Sequence, residues 1–460
     1  MAKRKPNVGV VSYGSRGAAL ADGFERGGAK LYIASKQANP MNIAIAERTG
    51  GKHIVANLSD VDGLSDFFFG SGVDFVFVGP EAPIIAGIHD RLDERGIPAL
   101  CPTQEYALEG SKVRQRQILS RVYPDANPPF KVFNRESEES DVKDWLKELD
   151  YHVAIKPDTP TAGKGVGVAE DHFEPTEKGA FPYFQEVLAG CERVIIEGKV
   201  DGEESSHIVL CNGSSLLPFP DTRDYKRAFT DDRGPNTGGM GSYCDAKPWL
   251  PFMTYEDRER EMEITGALFK AMKGSKNVNK ALWGVPFYMA FIHTADGSKV
   301  LEVNSRFGDP EAMNLIPLVE NNLVDLCMQM IHEPGSSHLK LAPKASVVWY
   351  LVPPAYGGKE PKNPDRMAVD MGAAMRMAED SPDKYRVYPG DMALEDGVTY
   401  AIKSRAVACI GIGDTIEEAR YRAREVIGAV KSPDLWYRTD VASAEHIGAS
   451  VAHMKRVRGE

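Results

Sequence analysis

Cysteine is scarce, with 6 residues in 460, and no two of them form a C-x-x-C pair. Cys101, Cys191, Cys211, Cys244, Cys327 and Cys409 are too scattered for a thiolate zinc site of the usual spacing and read as reduced, mostly buried thiols. Long apolar runs are missing as well. Nothing approaches the roughly 18 apolar residues of a membrane span, and the apolar run at 8–11 behind the basic start is too short for a secretory signal. Nor is there an excess of basic charge. The 55 Lys and Arg face 66 Asp and Glu, a formal net charge of −11 that repels nucleic acid and acidic membranes. A Walker A loop, a G-x-S-x-G nucleophile elbow and an H-E-x-x-H pair among the 10 histidines are all absent. These absences leave a soluble, cytoplasmic enzyme of small molecules, with no covalent catalysis by the protein; they do not fix its oligomeric state, and a monomer or small homo-oligomer is expected.

A chain of this length exceeds one core, and domains of about 100 to 200 residues predict three or four units. Residues 8–12 read as a strand, 13–17 as a turn and 18–26 as a helix. Further strands at 30–34 and 73–78 alternate with helices, the βαβ pattern of a parallel sheet with right-handed crossovers. This first unit is expected to span 1–104. A second, 105–200, begins with a helix over 105–122 that carries Lys112. It continues through the acidic run 136–141, a strand at 152–156, a glycine-rich loop, a helix at 181–188 and a strand at 193–197. The third, 201–335, contains an amphipathic helix over 255–272. In the last, 336–460, Pro353, Pro354, Pro361 and Pro364 mark a loop, and Thr415-x-x-Glu418 opens a helix as a capping box.

The segment Val300-Leu-Glu-Val-Asn-Ser-Arg-Phe-Gly-Asp-Pro-Glu311 is the most informative. Strand alternation puts Glu302 and Asn304 on one face and Leu301 and Val303 on the other. Two oxygen ligands so placed suit magnesium, which typically takes one or two protein oxygens together with substrate phosphates. A bare E-x-N on a strand is more often only a polar outward face. Here Arg306, Asp309 and Glu311 crowd further polar groups onto the following turn.

Three other stretches fit anionic ligands. Lys156 ends a strand before Thr161-Ala-Gly-Lys-Gly-Val166, where glycines let backbone N–H groups approach phosphate and lysine adds a charge. Glu197 ends a strand, and Glu204 after it can accept hydrogen bonds from ribose hydroxyls. The basic stretch Arg223-Asp-Tyr-Lys-Arg227 leads into Gly234-Pro-Asn-Thr-Gly-Gly-Met-Gly241, a density of glycine that special backbone conformations explain.

Taken in order, Leu108-Glu-Gly-Ser-Lys112, Ala162-Gly-Lys-Gly165, the Gly234–Gly241 string, Asn304-x-Arg-Phe-Gly-Asp-Pro-Glu311 and Gly79-Pro-Glu-Ala-Pro83 closely resemble the phosphoribosylamine–glycine ligases, essentially end to end. The resemblance implies an α/β ATP-grasp fold with an N-terminal parallel-sheet domain and a small C-terminal α/β domain. It implies ATP with Mg2+ or Mn2+ as cofactors, and glycine, 5-phosphoribosylamine and ATP as substrates in purine biosynthesis. By matching positions, Glu302 and Asn304 resemble the metal ligands, Lys112 and Lys156 the phosphate lysines, and Gly163, Lys164 and Gly165 the mobile flap. Glu197, Lys199, Val200 and Glu204 resemble the adenine hinge and ribose site. Asp224, Lys226, Arg227, Arg306 and Asp309 match catalytic positions, Arg306 being assigned to the glycine carboxylate. Gly14, Arg16, Asn39, Pro80, Glu81, Asn236, Thr237 and Gly238 match the substrate side. Three departures fall at the amine end. The family's Gly-x-Gly-Gly-Arg-Glu-His-Ala is Ser12-Tyr-Gly-Ser-Arg-Gly-Ala-Ala19, its Asn-Pro-Gly is Asn39-Pro-Met41, and its Gln-Asp-His-Lys-Arg is Arg223-Asp-Tyr-Lys-Arg227. They leave open a paralogue that ligates another amine or acid, and a nucleotide-binding protein without turnover is the third reading.

Overall fold

The computed structural model describes residues 4–160 and 165–460. Short β-rich apolar runs separated by amphipathic helices give the first layer, a five-stranded parallel sheet. Its order is Lys52–Val55, Lys30–Ser35, Asn7–Ser12, Phe75–Val78, Ala99–Leu100. The order reverses beside Asn7–Ser12, which opens a crevice past the carboxyl ends of this strand and Phe75–Val78. The first helix spans Gly14–Arg26, starting inside the expected turn. It can do so because Gly14 sits at φ 63° and a Cβ on Gly17 would lie 1.9 Å from Ser12 Oγ. Only glycine fits that close strand-to-helix return.

The second layer is an antiparallel sheet in the order Phe130–Asn134, Arg193–Gly198, Val153–Pro157, Gly167–Val168. The helix expected from 105 is instead two short 3-10 turns, Gln104–Tyr106 and Leu108–Gly110, and then a true helix Lys112–Val122. Ser111 sets the break. Its extended backbone ends the turns, its hydroxyl caps Arg114 N–H, and the Asp158 carboxylate takes Val113 N–H at 2.9 Å.

The third layer is a nine-stranded sheet whose main path runs Gly297–Asn304, Trp283–Thr294, Glu203–Asn212, Thr222–Asp224, Gly241–Cys244, Ala345–Leu351, Val407–Gly413, Tyr385–Pro389. The pairing of Gly241–Cys244 with Ala345–Leu351 carries this sheet across the expected boundary at 335, so the last two units share one continuous layer. In the C-terminal helix Ile416–Ala429, Thr415 caps Glu418 N–H, but the Glu418 carboxylate turns to Asp414 N–H, so the reciprocal half of the capping box is missing. All six cysteines are free and five are buried. No described helix is long and apolar enough to cross a membrane.

Behind the large sheet, the capped helix Tyr255–Lys273 covers a fully buried ion cluster. His207, Asp221 and Glu261 converge there, a set with metal-binding spacing. The cation present is Arg258, whose Nη1 lies 2.6 Å from His207 Nδ1 and also bonds Asp221. Burial drives the His207 pKa down to about 3, so the ring is neutral and accepts from the guanidinium. Removing the cation leaves buried acid groups unpaired, and Arg258→Met is expected to cost about 3–5 kcal/mol. Denaturant unfolding measures it; a loss below about 1 kcal/mol contradicts this account.

Candidate active site

The strand Gly297–Asn304 places its polar residues with a correction. A bulge between Ala290 and Phe291 of the neighbouring strand leaves Leu301 unpaired, with Val300 opposite Phe291 and Glu302 opposite Ala290. The extra residue breaks simple alternation. Val303 packs with Val300 in the core behind the sheet, whereas Leu301 packs with the cluster of Ile208, Tyr288 and Ala290 in front. Glu302 and Asn304 still share the front face, opposite Ala290 and Tyr288. A carboxylate and an amide oxygen there form a hard donor set that fits a divalent cation retaining water.

Lys156 rises from Val153–Pro157, and its ammonium lies 2.6 Å from Glu197 Oε2. Arg116 Nε binds the other oxygen at 2.6 Å while its Nη1 and Nη2 hold the carbonyls of Val300 and Leu301. Burial alone would raise the Glu197 pKa, but Arg116 and Lys156 outweigh it and hold it near 2. The Glu197 side chain is thus committed to positioning Lys156. Lys199 is engaged too, donating to Ala169 O and the Glu170 carboxylate. Lys199 and Val200 line a cavity of about 930 Å³ together with Phe130, His152 and Lys299, and none of Lys156, Glu302 or Asn304 lines it. Lys112 donates to Thr159 O at 2.7 Å, aimed at the start of the glycine-rich loop. Gly163 and Lys164 lie outside the described residues, and Gly165 borders them.

Arg306 leaves the end of the same strand. Its Nη2 lies 2.9 Å from Glu109 Oε1 and 3.3 Å from Asn304 Oδ1, and its Nε lies 3.6 Å from Glu81 Oε2. The Nε is buried without a hydrogen-bond partner. Burial pushes the Glu109 carboxyl up to about 7 despite Arg306. Glu81 behaves oppositely: burial opposes ionisation, but Arg306 and Arg16 draw its pKa down to about 2. Glu109 was not singled out from the sequence, although it stands inside the Leu108–Lys112 motif.

Lys226, between the strands Thr222–Asp224 and Arg227–Phe229, pairs with Glu204 of Glu203–Asn212. Arg227 donates to Gly234 O and reaches Asp171 of the second layer at 2.6 Å, bridging the cleft. Asp224 lies against the Gly238–Gly239 turn with Oδ1 buried and unpartnered. Thr237 Oγ1 donates to Lys226 O, and Asn236 pairs with Arg227, so both shape the loop. Asp309 Oδ1 accepts from Tyr350 at 2.7 Å and lies 3.1 Å from Arg405 Nη1, with which it forms an ion pair.

At the amine end the expected residues divide. Pro80 and Glu81 line a cavity of about 590 Å³ past the parallel strands, with Tyr13, Lys36, Asn57 and Ser59. Arg16 and Asn39 are buried ties instead. Arg16 donates to Phe307 O at 2.7 Å and to Glu81, and Asn39 donates to Pro389 O and Gly390 O while capping the helix Pro40–Thr49.

Two family profiles match adjoining stretches of the chain: phosphoribosylglycinamide synthetase, N domain, over residues 6–109, and phosphoribosylglycinamide synthetase, ATP-grasp (A) domain, over 110–312. The phosphoribosylamine–glycine ligase of Pyrococcus furiosus is 34% identical over 452 residues, covering 98% of each chain. The chain belongs to the phosphoribosylamine–glycine ligase family. The solved ligase of that name from Thermotoga maritima shares the fold at TM-score 0.72 and 23% identity, over 95% of this chain and 100% of that one. A biotin carboxylase domain of Hydrogenobacter thermophilus, solved with MgADP, follows at TM-score 0.68 and 14% identity, over 98% and 94%. The fold is ATP-grasp.

Two departures from the family's pattern can now be located. Arg223 and Tyr225 alternate with Asp224 and Lys226 along the chain. Arg223 pairs with Glu203 and approaches Ser450, and the buried Tyr225 hydroxyl accepts from Ala442 N–H. Both side chains are engaged away from the site.

Replacing Glu197 by Gln strips the shared carboxylate from two buried cations, and Glu197→Gln is expected to cost about 3–5 kcal/mol of stability and to raise the KM for nucleotide. Unchanged unfolding and unchanged KM contradict the commitment of Glu197 to Lys156. The Glu81 pairing contributes stability that is fully present above its unfolded pKa of about 4.3 and is lost as pH falls through about 2. Thermal midpoints between these limits should fall more steeply for the wild type than for Glu81→Gln.

Proposed function

We propose that this protein ligates glycine to 5-phosphoribosylamine with ATP, through a glycyl phosphate, giving glycinamide ribonucleotide, ADP and phosphate in purine biosynthesis. The strongest support is kinship with glycine ligases over 98% of the chain. The N-terminal unit, 1–104, would take the amine, 105–200 and 201–335 would enclose ATP, and 336–460 would close the acceptor side.

A carboxylate is a poor electrophile, so its oxygen first attacks the γ-phosphorus and ADP leaves. The amine nitrogen then attacks the acyl carbon, phosphate departs, and the nitrogen loses a proton. Glu302 and Asn304 would hold Mg2+ or Mn2+, which supplies charge neutralisation at the phosphates when bound. Lys156 and Lys112 add fixed positive charge, and Glu204, on releasing Lys226, accepts from ribose hydroxyls. Arg306 offers its unpartnered Nε to the glycine carboxylate. Desolvation inside closed lobes strengthens these interactions and keeps water from the acyl phosphate.

The test is ADP release with ATP, Mg2+, freshly generated phosphoribosylamine and a panel of amino acids. Glycine-dependent turnover is expected, and turnover that ignores glycine overturns the reading. Asn304→Ala should abolish ligation with circular dichroism unchanged; full activity would remove this residue from the metal site.

A further inference from the structure

Arg405 belongs to the C-terminal unit, about a hundred residues beyond the motifs of the site, yet its guanidinium lies among them. Its Nη1 is within hydrogen-bond reach of four acceptors: Gly238 O, Gly239 O at 3.4 Å, Asp309 O at 2.9 Å and Asp309 Oδ1 at 3.1 Å. That exceeds what two hydrogens can satisfy singly, so the contacts are shared and the geometry is tightly specified. The guanidinium also lies over the Tyr350 ring, 4.8 Å from its centroid. Tyr350 in turn donates to the same Asp309 oxygen at 2.7 Å.

The turn that Arg405 grips is built for that contact. A Cβ on Gly238 would come 3.2 Å from the guanidinium carbon. A Cβ on Gly239, at φ 105°, would come 2.5 Å from Asp224 Oδ1. The two glycines are therefore held between Arg405 on one side and Asp224 on the other. With Asp309 Oδ1 taken twice, Oδ2 is left facing the first loop, where a Cβ on Gly14 would lie 3.5 Å from it. Tyr13, the next residue back, lines the 590 Å³ cavity.

We propose that Arg405 is a positioning residue for the amine acceptor. It clamps Asp309 and the Gly238–Gly239 turn so that two carboxyl oxygens, Asp309 Oδ2 and Asp224 Oδ1, receive the hydroxyl or amine hydrogens of that substrate. This makes the C-terminal unit part of the acceptor site rather than an appendage. The proposal rests on the reading of the amine end given above and deepens it.

Steady-state kinetics on the full chain test it. Arg405→Lys keeps the charge but replaces a planar fork with a point donor. Its KM for the amine is expected to rise about 10- to 100-fold through misplacement of the acceptor, with the KM for ATP essentially unchanged. Tyr350→Phe removes only the hydroxyl on Asp309 and should raise the same KM by a smaller factor. Arg405→Lys decides when it folds, and Tyr350→Phe decides when it does not. An unchanged amine KM, or equal rises for amine and ATP, overturns the proposal. Should the wild type turn over with a different amine in place of phosphoribosylamine, the proposed acceptor is wrong, and the same KM ratio measured on that amine still decides Arg405.

Discussion

The guanidinium of Arg306 is the point at which three parts of the chain meet. Glu81 reaches it from the parallel sheet, Glu109 from the turn before Lys112, and Asn304 from the strand that carries the metal-ligand candidates. Remove that cation and the buried Glu109 carboxylate is left with the half-buried Glu81 and Glu302 nearby, an arrangement that low-dielectric surroundings penalise. The contrast between Glu81, drawn down to about 2, and Glu109, pushed up to about 7, follows from how this positive charge is shared. Glu81 has Arg16 as a second cation, whereas Arg306 is the main counter-charge for the more deeply buried Glu109. Apolar contact reinforces the same junction. Phe307, the next residue, stacks on Phe77 of the parallel sheet at 6.2 Å and meets Phe219 edge-on at 5.6 Å.

The same logic recurs at the nucleotide end. Glu197 joins Arg116 and Lys156, and through Arg116 it also grips the carbonyls beside the bulge at Leu301. A single buried carboxylate therefore sets both Lys156 and, through Arg116, the backbone leading to Glu302. Each of these cations has an acidic partner: Lys156 has Glu197, Lys226 has Glu204 and Arg306 has Glu109.

Much of this was legible in the sequence because it depends on local rules. The parallel sheet followed from alternating apolar runs and helices, and the shared face of Glu302 and Asn304 followed from a period of two. What failed did so where distant residues decide. The bulge at Leu301 arises from pairing with Trp283–Thr294, which no local pattern encodes. The helix expected from 105 starts only at Lys112, where Asp158, far along the chain, joins Ser111 in capping its first N–H groups. Arg16 and Asn39 carried the right motif positions but serve as ties between layers, since a motif records which residues recur and not which atoms they touch. Arg405 and Lys36 gave no signal at all, being single cations in unremarkable surroundings. The buried His207 cluster was equally silent, because its members come from three separate elements.

The departures at the amine end can be weighed by where the altered side chains point. Arg223 and Tyr225 face the layer behind the sheet, where Glu203 and Ala442 hold them, while Asp224 and Lys226 keep the family's identity on the site face. Ser15 donates to Tyr388 O at 3.1 Å, and Gly17 fills the space against Ser12. Asn39 is bonded to Pro389 and Gly390. These positions join the N-terminal sheet to the C-terminal unit, so substitutions there alter a seam and leave the acceptor groups in place. Pro80 and Glu81, which do line the amine cavity, match the family's string. Divergence from the family's pattern at Ser15, Gly17, Arg223 and Tyr225 thus falls on contacts between layers of the scaffold.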